Sequence, residues 1–175
     1  MHNDKNIRAP CRCGKVVLEI AGAPILRGIC YCSSCQEAGR LHQGGLGTEP
    51  VLAADGGTDY VLYRKDRVRC VQGAEFFEER RLKPASPTRR MVARCCDTAM
   101  FLDFTKGHWL TVYRGRLPAD MPPATMRMMT AERPEGVILP DDMTNYPRHS
   151  GKFMLKLLGA WIAMGFRRPA VDGVP

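Results

Sequence analysis

The sequence predicts a mainly β fold of short antiparallel strands, with one short helix after a cysteine motif and one helix near the C-terminus. Three observations predict it. Stretches rich in β-branched and aromatic residues recur at short, regular intervals between glycines, prolines and charges. Cysteines arrive in tight groups at the ends of such stretches, most densely at Cys30 to Cys35, which reads CYCSSC. A long apolar run of helical composition, Lys152 to Phe166, follows a proline-rich segment.

At 175 residues the chain has the length of one domain, with or without an appendage, and can bury a real core. A composition 45% hydrophobic and 25% charged is that of an ordinary globular protein. The N-terminal MHNDKNIRAP is polar and lacks the apolar centre of a signal peptide, so a cytoplasmic location is expected. In a reducing compartment, eight cysteines grouped as C-x-C and C-x2-C read as metal ligands or redox groups rather than a disulfide framework. The net charge of +8 attracts anions in general. Lys and Arg are nonetheless scattered and no nucleic-acid reader motif accompanies them, so most of the charge is read as solvated surface.

Taken in order, Cys11-Arg12-Cys13-Gly14 is a metal-knuckle pattern, the glycine letting the backbone turn tightly beneath an ion. Lys15 to Ile20 reads as a strand, Ala21 to Pro24 as a turn and Ile25 to Cys30 as a second strand, and these two are expected to form a hairpin. Ser33 and Ser34 offer caps for a helix through Gln36, Glu37, Ala38 and Arg40. Gly44, Gly45, Gly47, Gly56 and Gly57 mark loops without a phosphate-binding pattern. Thr58 to Tyr63, Val68 to Val71, Phe76 to Leu82, Thr88 to Arg94, Ala99 to Phe104 and His108 to Tyr113 continue the series of strands.

Composition shifts at Pro118. Six prolines between Pro118 and Pro147 argue against a long regular element there, which predicts a surface segment or a lid. The apolar run after Lys152 is shorter than the roughly 20 residues a membrane span needs, so it is read as a core helix or a homodimer interface rather than a membrane element. The expected organisation is a zinc-binding domain over 1–118, an irregular segment over 119–150 and an apolar helix over 151–168.

The thiols carry the chemistry. Cys30, Cys32 and Cys35 fall at a strand-to-helix turn, where the positive end of the helix lowers thiol pKa and favours the metal-binding thiolate. Zinc is the default ion for clustered thiolates without an iron–sulfur spacing, and three ligands leave a fourth position open, the mark of a catalytic site. Cys11 and Cys13 need partners to close a structural site, and the vicinal pair Cys95 and Cys96 supplies them; alternatively one of that pair is a buried small hydrophobe. Cys70 stands alone as a core or interface thiol. The four histidines form no motif; His42, seven residues past Cys35, either leans toward the metal or serves the surface.

CRCGKV, CYCSSCQEAG and a late cysteine pair followed by Thr98 together resemble the glutathione-dependent formaldehyde-activating enzyme and centromere protein V family, over residues 9 to 118. The resemblance implies a β-tent fold, a structural zinc on the knuckle at Cys11 and Cys13, and a second, catalytic zinc on Cys30, Cys32 and Cys35 where glutathione is co-substrate. The late motif departs from the family's C-x2-C-G: here Ala93, Arg94, Cys95, Cys96 and Asp97 occupy it, similar to an uncharacterised bacterial branch with a CC-x-T form.

The function implied is a carbon–sulfur lyase-type reaction on a glutathione or similar thiol adduct of an aldehyde. Arg27 and Arg40, near the cysteine motif in sequence, are candidates to hold the substrate's carboxylates. Two other readings stay open. One is a zinc-stabilised module binding protein or nucleic acid; the other is a thiol and zinc redox switch on Cys30, Cys32 and Cys35.

Overall fold

The structure is a computed structural model, in which residues 6–43 and 49–175 are described. His2 and the loop glycines Gly44, Gly45 and Gly47 lie outside the described residues.

Two sheets make the fold. The smaller holds β1 (Ile7–Pro10), β2 (Val17–Ile20) and β5 (Val68–Gln72), in the order β1-β2-β5 and antiparallel throughout. The larger holds β3 (Leu26–Cys30), β4 (Thr58–Arg64), β6 (Phe77–Arg80), β7 (Thr88–Ala93), β8 (Thr98–Phe104), β9 (Trp109–Tyr113), β10 (Met126–Met128) and β11 (Thr144–Asn145). Its order is β11-β10-β3-β4-β9-β8-β7-β6, antiparallel except that β10 runs parallel to both β3 and β11. Two helices complete the chain, α1 (Ser33–Gln43) and α2 (Gly151–Ala163).

Side-chain alternation gives the larger sheet two different apolar faces. Val61, Tyr63, Phe101, Leu110 and Val112 face the smaller sheet and meet Val16, Leu18, Ile20 and Val68 in the main core. The opposite face is covered by helices. There Leu26, Tyr60 and Leu62 pack with Met126 and Met128 of β10 and with Phe153 and Leu157 of α2. Because β4 is covered on both sides, TDYVLY reads as a nearly continuous apolar run rather than a strict alternation.

The strands over 15–20 and 25–30 do not form the expected hairpin. They enter different sheets, β2 pairing with β1 and β5, and β3 pairing with β4 and β10. The physical reason is burial. Val16, Leu18 and Ile20 share one side and need the inter-sheet core, whereas Leu26 belongs to the helix-covered face. The crossover is held by Ala21 N–H donating to the Arg67 carbonyl at 2.8 Å and Ile25 N–H donating to the Leu62 carbonyl at 2.7 Å. The hairpin partner of β2 is instead β1, drawn from the polar N-terminal stretch.

The proline-rich stretch 119–150 is not wholly irregular, since it contributes β10 and β11 to the sheet edge. Met126 and Met128 are buried there, and Arg127 is held by the Asp142 carboxylate at 2.7 Å. Ser150 caps α2 by accepting from Phe153 N–H at 3.1 Å. His108 anchors the same helix to β9: its Nε2–H donates to the Leu157 carbonyl at 2.8 Å while its ring stacks on Trp161. The outer side of α2 leaves Leu155, Leu158 and Ile162 exposed, and Phe166 beyond its end is exposed as well. Among the described residues, no helix is long and apolar enough to cross a membrane.

Candidate metal centres

Two groups of thiols converge, and every cysteine is free of disulfide bonds. The first group lies where two hairpins from different sheets meet. Cys11 and Cys13 occupy the β1–β2 turn, and Cys95 and Cys96 occupy the β7–β8 turn. Gly14 has φ +77, a conformation that glycine adopts without strain, and its N–H donates to the Cys11 carbonyl at 2.9 Å. The Cys11 sulfur in turn accepts from Val16 N–H at 3.3 Å.

The four sulfurs fit one ion. Thiolates ~2.3 Å from a common zinc stand about 3.8 Å apart at the corners of a tetrahedron. Here Cys11–Cys13 is 3.6 Å, Cys11–Cys95 3.8 Å, Cys13–Cys95 3.4 Å and Cys95–Cys96 3.9 Å. Burial pushes the Cys11 and Cys95 thiols up. Cys96 is also pushed up by burial, but hydrogen bonding from Thr98 and its neighbours outweighs this and brings it down to about 6.

The departure from C-x2-C-G has a local explanation. Asp97 takes the glycine's place at φ 50, a left-handed conformation that Asp tolerates better than most residues. Arg80 fixes its carboxylate at 2.8 Å. With Asp97 making the turn, both Cys95 and Cys96 join the cluster.

The second group, Cys30, Cys32 and Cys35, sits at the junction of β3 and α1 with its sulfurs mutually within 4.8 Å. The helix begins at Ser33, one residue past the motif's second thiol, so the serines are inside it and do not cap it. Cys32 is the cap. Its sulfur accepts from Cys35 N–H at 3.4 Å, and its carbonyl accepts from Gln36 N–H at 3.1 Å. The Glu132 carboxylate accepts from Ser33 N–H at 2.7 Å and takes another of the free helix-end donors.

This placement separates the three thiols. Hydrogen bonds from Cys30 and Cys35, with the helix-end N–H of Cys35 and the charge of Arg90, hold Cys32 down to about 3. Cys30 is pushed up to about 12, first by sharing its proton with Cys32, and Cys35 is raised by both partners and by burial. The shared protons thus favour ionisation at Cys32 over its two neighbours. With three soft donors and no fourth protein ligand among the described residues, it suits a tetrahedral ion with one open position.

Beside the cluster lies a cavity of about 530 Å³ bounded by Cys30 and Cys35, by the helix-covered face of the sheet and by α2. Thr58 lies directly across β4 from Cys30, and Tyr60 lies across from Gly28. A Cβ at Gly28 would stand 3.0 Å from the Tyr60 hydroxyl, so glycine makes room for that ring. Both hydroxyls are buried without a hydrogen-bond partner. Sequence reasoning missed this pair, because only strand register brings them beside the thiols.

Of the two arginines singled out from sequence, Arg27 is bound by Asp59 at 2.6 and 3.0 Å and also donates to the Pro122 carbonyl at 2.9 Å. Arg40 is exposed on α1. Arg90 of β7 is nearer the chemistry: buried, it donates to the Ser34 hydroxyl at 3.1 Å and the Ser34 carbonyl at 3.3 Å, while its Nε and Nη1 have no partner. It borders a second cavity of about 320 Å³, shared with His42, Arg80 and Arg81. His42 turns its buried Nε2 to no partner, and burial lowers its pKa. Cys70 is apart from both clusters.

Residues 6–46, which hold both the knuckle and the three-thiol motif, match the family model described as glutathione-dependent formaldehyde-activating enzyme. No curated protein gives a significant match. A crystal structure of a Rhodobacter sphaeroides protein aligns over 79% of this chain and 98% of that one, at 16% identity and a TM-score of 0.46. At that level the likeness bears on neither fold nor function. The family segment covers the thiols of β1 to α1, whereas Thr58, Tyr60, Arg90 and α2 lie beyond it.

Proposed function

We propose that the protein is a zinc-dependent carbon–sulfur lyase-type enzyme acting on the adduct of an aldehyde with glutathione or a similar thiol. The observation that carries this reading is the Cys30, Cys32 and Cys35 cluster, with a cavity beside it large enough for an organic substrate. A metal held by these sulfurs supplies a site for a fourth sulfur or oxygen donor and polarises what it binds, although three thiolates leave the site formally at −1 and moderate its Lewis acidity. The reaction adds the thiol across the aldehyde carbonyl. The C–S bond forms, the C=O π bond opens and the thiol proton ends on oxygen; the lyase direction is the reverse.

The chain's own residues divide the work. Cys32, held down first by hydrogen bonds from Cys30 and Cys35 and then by the helix-end N–H of Cys35, favours metal capture. Arg90 presents two unpartnered N–H groups beside the cluster and suits a substrate carboxylate. Arg27 is engaged by Asp59, which leaves Arg40 as the exposed arginine of the original pair. The cysteines of the other cluster close a structural site that ties the two sheets together.

The test is exchange spectroscopy of glutathione with a series of aldehydes, with and without the zinc-loaded protein. Faster interconversion of aldehyde and adduct, lost in Cys32→Ser, is the expected result. No thiol-dependent acceleration or binding with any aldehyde tested would end this reading. A second reading, a thiol redox switch, is favoured by three free sulfurs lying within 4.8 Å of one another. Its signature is reversible zinc release on mild oxidation with the fold unchanged.

A further inference from the structure

The chamber beside the three thiols is much larger and more apolar than an adduct of formaldehyde requires. An S-hydroxymethyl group carries one carbon and no apolar substituent. The cavity measures about 530 Å³, and its floor is Leu62, Leu102, Trp109 and Thr111 on the sheet. Phe153 and Leu157 of α2 form the roof, and Met128 of β10 forms a side wall. Apart from Cys30 and Cys35, the lining comes from residues beyond the segment that matches the family model.

Polar groups are few in that chamber and their placement is informative. Thr58 is 2% exposed and Tyr60 5% exposed, and neither hydroxyl has a partner. A buried hydroxyl without a hydrogen bond is unfavourable, and a polar atom of a ligand would complete it. Thr58 stands across the strand pair from Cys30, with Tyr60 two residues further along the same face, so both residues border the chamber on the side of the thiols. Elsewhere the lining is mainly hydrocarbon and aromatic, which rejects a second charged or strongly hydrated group.

We propose that this chamber binds the apolar substituent, aryl or branched alkyl, of the thiol adduct handled at Cys30, Cys32 and Cys35, with the Thr58 and Tyr60 hydroxyls hydrogen-bonding the oxygen on the carbon attached to sulfur. The inference rests on the adduct-handling function proposed above and names its substrate class. It places the aldehyde-derived portion under α2.

The experiment measures binding of S-methylglutathione, S-benzylglutathione and S-benzoylglutathione to the zinc-loaded full chain, by calorimetry and by the fluorescence of Trp109. S-benzylglutathione should bind at least tenfold more tightly than S-methylglutathione. That advantage should vanish in Thr111→Trp, which fills the chamber from a half-exposed strand position, and in Met154→Trp, which fills it from the helix side. Tyr60→Phe and Thr58→Val should weaken the benzoyl conjugate, which carries the oxygen, and spare the benzyl conjugate. Equal binding of methyl and benzyl conjugates, or a benzyl advantage that survives both filling variants, would overturn the chamber assignment and leave the proposed function standing. Benzoyl binding unchanged in both hydroxyl variants would overturn the assignment of the hydroxyls. Failure of all three conjugates to bind would overturn the chamber assignment together with the glutathione reading beneath it.

Discussion

Zinc entering the three-thiol site at neutral pH should displace two protons rather than three. The count follows from the local electrostatics. Cys32, held down to about 3 by the hydrogen bonds of its neighbours and the end of α1, is ionised before the metal arrives. Cys30, pushed up to about 12, and Cys35, raised by the same sharing and by burial, are both protonated. A metal that needs all three sulfurs as thiolates therefore competes with two protons, and its affinity should rise about 100-fold per pH unit between pH 6 and 8. The sign is fixed: acid protonates the two raised thiols and expels the metal. The assay is calorimetric titration of zinc at pH 7, in buffers of differing ionisation enthalpy, into protein already carrying one equivalent at the four-thiol site. Three protons would mean that no thiol is pre-ionised and that the helix-end argument is wrong. One or none would mean that the cluster is not a three-thiolate ligand set.

Other consequences concern the scaffold. Cys11→Ser should remove one zinc from the protein and make its melting temperature insensitive to chelator, whereas the parent protein should melt lower in chelator, because the ion joins hairpins of different sheets. Lys65→Met should cost about 3–5 kcal/mol in denaturant unfolding, since it strips a partner from the buried Asp103 carboxylate. Lys65 contacts that carboxylate at 2.7 Å, and Arg89 at 2.8 Å, the latter leaving some compensation. Gly73→Ala should destabilise by at least about 2 kcal/mol in the same assay, given a left-handed backbone at the substituted position. The added Cβ would lie 2.1 Å from the Lys15 carbonyl oxygen, with φ at +77.

Most of the strands and both helices were legible because their signals are local; β1, β10 and β11 were not. Apolar runs punctuated by glycine or charge mark Thr58–Arg64 or Thr98–Phe104 without knowledge of partners. Pairing was harder to read. Nothing in AGAP says that the chain passes from one sheet to another; that depends on which core Val16, Leu18 and Ile20 share, a question of three-dimensional burial. Likewise MRM in a proline-rich stretch carries no strand pattern of its own and is fixed as β10 by the free edge of β3.

The thiols were visible because a cysteine group is rare enough to stand out by itself. Their surroundings were not. Thr58 and Tyr60 look like ordinary strand residues until register places them beside Cys30 and Gly28. Arg90 is one of three nearby arginines, and only the approach of α1 to β7 distinguishes it by bringing Ser34 within 3.1 Å. The helix cap shows the same limit: two serines are good capping residues, yet the turn after β3 places Cys32, not a serine, at the helix start.

The most direct test of the account is zinc stoichiometry by elemental analysis on protein purified without chelator, repeated after adding glutathione. Two zincs per chain are predicted, with Cys32→Ser retaining one and glutathione perturbing only the zinc that this variant loses. One zinc per chain, indifferent to glutathione and unchanged in Cys32→Ser, would contradict it.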